Sequence, residues 1–301
     1  MNKKQYVRQI VLLREKIYDY YIRYEKYVKY ILRFIMAFAL LFLLDKNFSY
    51  EKHLSGGLFL FVMAVLGAAV PDGVLVFALL MILAGKLYFL SPILAASVLF
   101  LSLLFYFVLL QYCDKFILLT VLVPLALICK VPALPAIVAG LFFAPSAVLA
   151  IIAGVLVYYM LYSILKCEKM IEAKINIMEL VRYFLDEIVK NKNMYIILLT
   201  LSVAFFIVFF VSKIKIAYSF EISIGVAVLF SCILGIVGNT VFRSSFSIGW
   251  ILVGNILSGI LSYVIHFSHM ILDYGSTQEL QFEDEEYYYY VKAVPKLKSK
   301  K

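Results

Sequence analysis

LSGGLFLFVMAVLGAAVPDGVLVFALLMILAGKLYFLSPILAASVLFLSLLFYFVLLQYCDKFILLTVLVPLALICKVPALPAIVAGLFFAPSAVLAIIAGVLVYYMLYSIL, residues Leu54–Leu165, decides the fold. Its only charges are Asp72, Lys86, Asp114, Lys115 and Lys130. A run this apolar has lipid as its solvent. Prolines, glycines and single charges cut it into blocks that bracket the roughly 20 residues a helix needs to cross a bilayer.

The rest of the chain agrees. Of 301 residues 64% are hydrophobic, and the mean hydropathy is +0.97, against roughly half apolar in soluble domains. The sequence therefore predicts an all-α polytopic membrane protein with about ten apolar segments and eight to ten spans. The net charge of +9 gathers near the ends and in one central loop. That places it against anionic membrane lipid and gives no basic domain for nucleic acid. Cys113, Cys129, Cys167 and Cys232 form neither a CxxC pair nor a metal-ligand spacing, so no disulfide framework and no metal site is expected.

Working outward, residues 1–30 read as a basic amphipathic helix, with Tyr6, Ile10, Leu13, Ile17, Tyr21, Tyr24 and Val28 recurring every three or four positions. Its place is flat on the cytoplasmic interface or docked on a partner. The membrane block 31–165 opens with Ile31–Leu44, whose helix begins near Tyr27. It continues with Ser55–Val70, Gly73–Gly85, about Tyr88–Leu110, Phe116–Cys129, Val131–Ala144 and Ser146–Leu165. Residues 166–194 form an amphipathic loop with an apolar stripe at Met178, Val181, Leu185 and Ile188. A three-helix block, 195–267, follows as Tyr195–Val211, Ile222–Phe242 and Phe246–Phe267, and the tail is 268–301.

Two stretches, 55–115 and 116–169, read as a repeat. Ala84-Gly85 through Pro92 leads into an apolar run closing on Cys113-Asp114-Lys115. Ala139-Gly140 through Pro145 leads into one closing on Cys167-Glu168-Lys169, and Tyr106 and Tyr159 each stand fourteen residues after their proline. Three segments per unit would invert the second copy, as in many secondary transporters, and would mark the short segments three and six as broken or re-entrant. Chance similarity between leucine-rich helices is the competing reading. The Lys/Arg distribution does not choose between topologies. The repeat chooses both termini in the cytoplasm and the central loop outside.

No GxxxxGKS/T, HExxH or GxSxG occurs, and no two carboxylates share an apolar segment. The expectation is a non-enzyme without a cofactor. What remains is polarity inside apolar helices, which is costly and tends to face a bundle interior or a cavity. Ser231, Gly235, Asn239 and Arg243 fall four apart on the ninth segment. Asn255, Ser258, Ser262 and His266 recur at three and four on the tenth. Such stripes serve helix packing through interhelical hydrogen bonds or line a polar path. Asp72 and Lys130, at corresponding turns of the two units, join that path in the sharper reading, and Asp72 is a turn former in the other. His266 and His269 lack an acidic or cysteine partner nearby in sequence, so no metal is assigned to them.

The tail reads Glu283-Asp284-Glu285-Glu286, Tyr287–Tyr290, then Val291-Lys292-Ala293-Val294-Pro295-Lys296. With this ending and the proline-rich block around Pro132–Tyr159, the chain resembles a group of uncharacterised bacterial multi-pass membrane proteins with an acidic-YYYY-VKAVPK tail, often labelled generically as transporter permeases. Physically, Phe282, Tyr287, Tyr288, Tyr289, Tyr290 and Val291 predict a strand that cannot pair with itself and adds to the sheet edge of a cytoplasmic partner. The alternative is a solvated end with its tyrosines at the interface. A transporter or permease-type component of the cell membrane is the leading expectation. A non-enzymatic scaffold of an envelope or signalling assembly, docking soluble proteins through its two termini, is the alternative.

Overall fold

The computed structural model describes residues 3–47, 56–172, 177–214, 216, 218–244, 247–269, 278–284 and 286–293. Among these, eleven α-helices precede one β-hairpin. The helices are α1 (Lys3–Asn47), α2 (Gly57–Ala69), α3 (Asp72–Tyr88), α4 (Pro92–Cys113), α5 (Leu119–Ile128), α6 (Leu134–Phe142), α7 (Ala147–Glu172), α8 (Ile177–Val189), α9 (Lys192–Val211), α10 (Ser219–Phe242) and α11 (Ile248–His269). The strands are β1 (Gln278–Glu283) and β2 (Tyr288–Ala293).

Each of the ten apolar segments is a helix, but only six are long and apolar enough to cross a membrane: Arg23–Asn47 of α1, α4, α7, α9, α10 and α11. This makes the chain a helical membrane protein. The eight to ten full spans expected from sequence are not all present by length. α2, α3, α5 and α6 have 13, 17, 10 and 9 residues, which at 1.5 Å per residue is about 20, 25, 15 and 14 Å. An apolar run shows where the chain meets lipid, while prolines set how far each helix runs.

The boundary expected at residue 30 moves. α1 is two helical stretches joined at a kink at Tyr24, whose φ of −114° and ψ of 18° are not helical. Beyond that break an i,i+4 ion pair between Glu25 and Lys29, 2.7 Å, continues the helix into the span.

Two ion pairs fix how the first helices run. Arg33 Nε lies 2.6 Å from Asp72 Oδ1 at the start of α3, and Lys86 Nζ lies 2.8 Å from Asp45 Oδ1 at its end. α1 and α3 are therefore parallel over roughly 20 Å. α4 returns antiparallel, and the Tyr106 hydroxyl donates to the Gly73 carbonyl at 3.0 Å. At the end of α4 the Cys113 thiol donates to the Ser146 carbonyl at 2.9 Å, which sets the start of α7 there. α9 is capped by Asn191, whose side chain accepts from the Asn193 and Met194 amides. α10 runs antiparallel to α9 and α11 to α10, with Gly238 against Ile196, Gly235 against Ile251 and Gly259 against Val228.

The 166–194 loop is more regular than expected. α7 runs on to Glu172, and α8 follows. Lys166 and Glu187 form an ion pair that ties α8 to α7. The buried stripe is Leu180, Phe184 and Ile188, whereas Leu185 is exposed. Of the expected stripe Met178, Val181, Leu185 and Ile188, Ile188 is buried and Val181 partly so, and Leu185 is the member that faces outward. α8 has apolar residues on two adjoining faces, and the one carrying the large Phe184 ring packs on protein, leaving Leu185 and Val189 outward as an interfacial helix does. Met178 lies outside the described side chains.

The proposed repeat does not share packing. α2 packs on α1 and α3 on α4, while α5 packs on α7 and α6 on α9 and α11. Similar apolar segments, joined by similar turns, have taken different neighbours.

The tail also departs from expectation. The strand pairs with its own chain: β1 and β2 are antiparallel, with Phe282 opposite Tyr289, Leu280 opposite Val291 and Glu283 opposite Tyr288. The acidic run supplies the turn. Asp284 Oδ1 accepts from the Glu286 and Tyr287 amides at 2.9 and 2.6 Å, a local bond that aspartate favours in turns. Those amides, and then the Tyr289 hydroxyl, hold the Asp284 carboxyl below the usual range. With its folded pKa depressed, the contribution of Asp284 to the hairpin is complete above the ordinary carboxylate pKa of about 4 and is lost as pH falls through the lowered value. Cross-strand contacts followed by NMR on the full chain are expected to weaken on acidification below that range, and Asp284→Asn to weaken them at neutral pH while making them insensitive to acid.

Candidate functional site

α5 and α6 form a helical hairpin that starts at one end of the bundle and carries its exposed tip, residues 128–130, to the end where α1 stops and α10 turns into α11. Its base closes where Phe116 stacks on Phe143, ring centroids 4.8 Å apart, beside the Cys113–Ser146 bond. Its tip is Lys130. The α5 helix ends there in a two-bond wrap, with the Lys130 amide donating to Leu127 O at 3.1 Å and the Val131 amide to Ala126 O at 2.9 Å. That motif needs a left-handed residue, usually glycine. Here Lys130 takes it with φ 60°, at a cost of roughly 1–2 kcal/mol. Pro132 ends the turn, and the second arm starts two residues later.

The surrounding helices hold the hairpin by missing side chains. A Cβ on Gly154 of α7 would lie 2.7 Å from Val123, one on Gly140 of α6 would lie 2.8 Å from the Phe205 carbonyl oxygen of α9, and one on Gly254 of α11 would lie 2.5 Å from the Lys130 carbonyl oxygen. Small residues that let backbones approach are the usual means of helix association in lipid.

Around the tip lies a cavity of about 150 Å³ lined by Lys130, Tyr158, Tyr159, Thr200, Ser231, Trp250, Asn255 and apolar neighbours, with Ser247 of the α10–α11 connection also on its wall. α7, α9, α10 and α11 all contribute. Lys130 Nζ sits 3.8 Å from the centroid of the Trp250 ring, a cation–π contact, and no carboxylate pairs with it among the described residues. Asn255 is buried. Its amide nitrogen donates to Ile251 O at 2.9 Å, its Oδ1 has no hydrogen-bond partner, and the Cys232 thiol lies beside it.

From this cavity a polar seam follows the α10–α11 interface. Asn255, Ser258, Ser262 and His266 are all buried, as their spacing predicts. Ser231 and Ser258 do not bond across helices. They donate to Ala227 O and Gly254 O of their own helices, each at 2.7 Å. At the far end His266 Nε2 is 3.9 Å from Glu221 Oε1, and the imidazole stacks on Phe220 at 5.1 Å. Sequence reading missed Glu221 because it stands 45 positions away in the chain and resembles an ordinary first-turn acid.

The other expected path residues lie elsewhere. Asp72 stands at the start of α3, where it pairs with Arg33 of α1, so it is part of helix packing and not a partner of Lys130. Arg243 is the left-handed residue that ends α10, φ 50°, and is exposed. Asn239 accepts from the Ser244 hydroxyl next to it. Asn239 is in the last turn of α10 and Arg243 follows it, so the seam begins at Asn255 and not at Arg243. In the tail, Phe282, Tyr287, Tyr288, Tyr289 and Val291 are exposed, and Tyr290 pairs through its backbone with Gln281.

No family model, no curated protein and no solved structure matches the chain.

Proposed function

We propose that the chain is a transporter or permease-type component of the cell membrane. One observation carries this: a hairpin of two short, proline-bearing helices runs through an otherwise apolar bundle and sets Lys130, exposed at its tip, at the mouth of an open groove lined in part by Thr200, Ser231 and Asn255. Non-helical backbone at membrane depth is tolerated where it is buried in protein or lines a wet cavity, and short broken segments of this kind mark binding sites in transporters. The reading is supported as chemistry of the site and not by an enzyme motif or cofactor site.

In this reading α2 and α3 join the six long helices as two shorter crossings, and α5–α6 runs out and back as a hairpin from the end where the chain starts. Eight crossings return the tail to that end. Seventeen of the 28 Lys/Arg residues lie in segments at that end, which supports a cytoplasmic location for both termini and an outer location for the α7–α8 connection. A reporter fused after Lys301 is expected to read cytoplasmic and one inserted near Lys174 extracytoplasmic. The reverse pair would refute this arrangement. For transport itself, proteoliposomes are placed in iso-osmotic solutions of amino acids, sugars, organic acids and salts. At least one solute is expected to swell them in a manner that Lys130→Gln reduces, and swelling equal to protein-free vesicles across the panel would end the transporter reading.

The tail hairpin favours a docking role in addition. Phe282, Tyr289 and Val291 share one face and are exposed, and an isolated two-stranded hairpin is marginal in water. Tyr289→Pro removes a ladder donor and is expected to abolish co-purification of any cytoplasmic partner, while Tyr289→Phe preserves it. Equal recovery with both variants would leave the tail without a docking role.

A further inference from the structure

We infer that the tip of the α5–α6 hairpin binds one anionic phospholipid, with the headgroup phosphate on Lys130 and an acyl chain in an apolar pocket on either side of the tip. This concerns the same groove as the transporter reading, but it does not need a solute to cross.

Two pockets flank the tip. One, of about 150 Å³, lies between the tip and α7, α9, α10 and α11, with Leu127 and Lys130 on its wall. The other, also of about 150 Å³, lies between the tip and the ends of α1 and α7, lined by Ile128, Leu44, Leu161 and Leu165. Tyr158 of α7 is on the wall of both, so they are neighbours across the end of α5. Each matches the size of an apolar cavity that takes up benzene, enough for the upper part of an acyl chain. Both open where Ile128, Tyr162 and Trp250 are exposed, and tryptophan and tyrosine are the side chains that mark the headgroup level of a bilayer.

Charge selects the lipid. Lys130 is exposed and pairs with no carboxylate among the described residues, whereas Lys86 and Lys166, toward the same end, are met by Asp45 and Glu187. Its backbone is an independent observation. A φ of 60° is strained for lysine and free for glycine, and strain of this kind gathers at ligand clamps. The chain thus keeps a cation where its own turn favours no side chain at all. A zwitterionic headgroup would set its ammonium against that cation, while an anionic one brings a phosphate and no second positive charge. Ser247, exposed on the same wall, adds a hydroxyl at the mouth.

Trp250, the chain's single tryptophan, has its ring 3.8 Å from Lys130 Nζ and reports on the site. The full chain in phosphatidylcholine nanodiscs receives a minor fraction of brominated phosphatidylglycerol or of brominated phosphatidylcholine, and the quenching of Trp250 by the two is compared within each protein. Phosphatidylglycerol is expected to quench saturably and about fivefold more effectively, the factor that one lysine at a membrane surface supplies. Lys130→Gln is expected to lose that preference. Lys192→Gln, at an exposed position that starts α9 and lines neither pocket, is expected to keep it. Unbrominated phosphatidylglycerol is expected to relieve the quenching, its lyso form, which fills one pocket only, to do so more weakly, and glycerol 3-phosphate not at all. The headgroup comparison needs no variant, so misfolding of Lys130→Gln does not decide the outcome.

The inference is overturned if the two brominated lipids quench equally, which is ordinary lipid contact, or if Lys130→Gln keeps the preference. It is also overturned if the lyso form competes as well as the diacyl lipid, or if glycerol 3-phosphate relieves the quenching, which would assign Lys130 to a free phosphate. Preferential quenching without flux in the swelling assay upholds the lipid site and ends only the transporter reading. Flux without the preference keeps transport and removes this site.

Discussion

Asp45→Leu is expected to destabilise the protein by about 3–5 kcal/mol, the cost of leaving one member of a buried ion pair behind. The member left is Lys86, the largest fully buried side chain described, 1% exposed and 2.8 Å from Asp45. Lysine on an apolar helix has no water to turn to there, and α3 has no other charge near its end. The thermal midpoint in detergent should fall by on the order of ten degrees, or the protein should fail to accumulate. Adding Lys86→Met to Asp45→Leu removes the stranded charge and keeps the volume, so the double variant is expected to recover most of the loss. Asp72→Asn is the comparison. The Arg33–Asp72 pair is about a quarter exposed on both sides, so solvent screens it, and its loss should cost about 1 kcal/mol or less. Equal effects at the two sites would mean that burial at Lys86 is not what makes its pair matter.

The second large effect is expected at Gly254. A Cβ there meets the Lys130 carbonyl oxygen at 2.5 Å and Pro132 Cδ at 3.3 Å, both in a turn whose backbone is fixed by the end of α5. Gly254→Ala therefore has to move the hairpin tip away from α11, at a cost typical of overpacking, about 1–3 kcal/mol. Because the tip carries Lys130, flux and any ligand response of Trp250 should fall further than stability does. Gly225 of α10 has nothing within 4 Å of its added Cβ, so Gly225→Ala should be neutral or stabilising by up to about 1 kcal/mol, as helix propensity dictates. A Gly254→Ala protein with normal stability and normal flux would show that the tip is free to shift.

Residues with local causes were legible. The ten apolar helices follow from composition, and their ends follow from Pro71, Pro92, Pro132 and Pro145. The buried seam of Asn255, Ser258, Ser262 and His266 follows from spacings of three and four, because a helix converts those spacings into one face. Strand formation at Tyr288–Ala293 was also visible in its tyrosines and valine. Its partner was not, since Phe282 was read into the same strand as the tyrosines and 278–281 is mostly polar, and the acidic run between them looked like a charge block until Asp284 closed a turn.

By itself, then, the sequence determined the solvent, the helices and the polar faces, all of which depend on residues within a few positions of one another. Tertiary structure alone decided that Lys86 and Asp45, 41 positions apart, neutralise each other, that Asp72 belongs to Arg33, that His266 meets Glu221, and that α5 and α6 turn back on themselves. It also separated the two units that look alike in sequence, packing α2 on α1 and α3 on α4 in the first but α5 on α7 and α6 on α9 and α11 in the second. The physical reason is the same in each case. In lipid every apolar face is nearly as comfortable as any other, so the choice of neighbour falls to the few charges that need a partner and to the glycines that let backbones touch, and neither property has a reach that the linear chain displays.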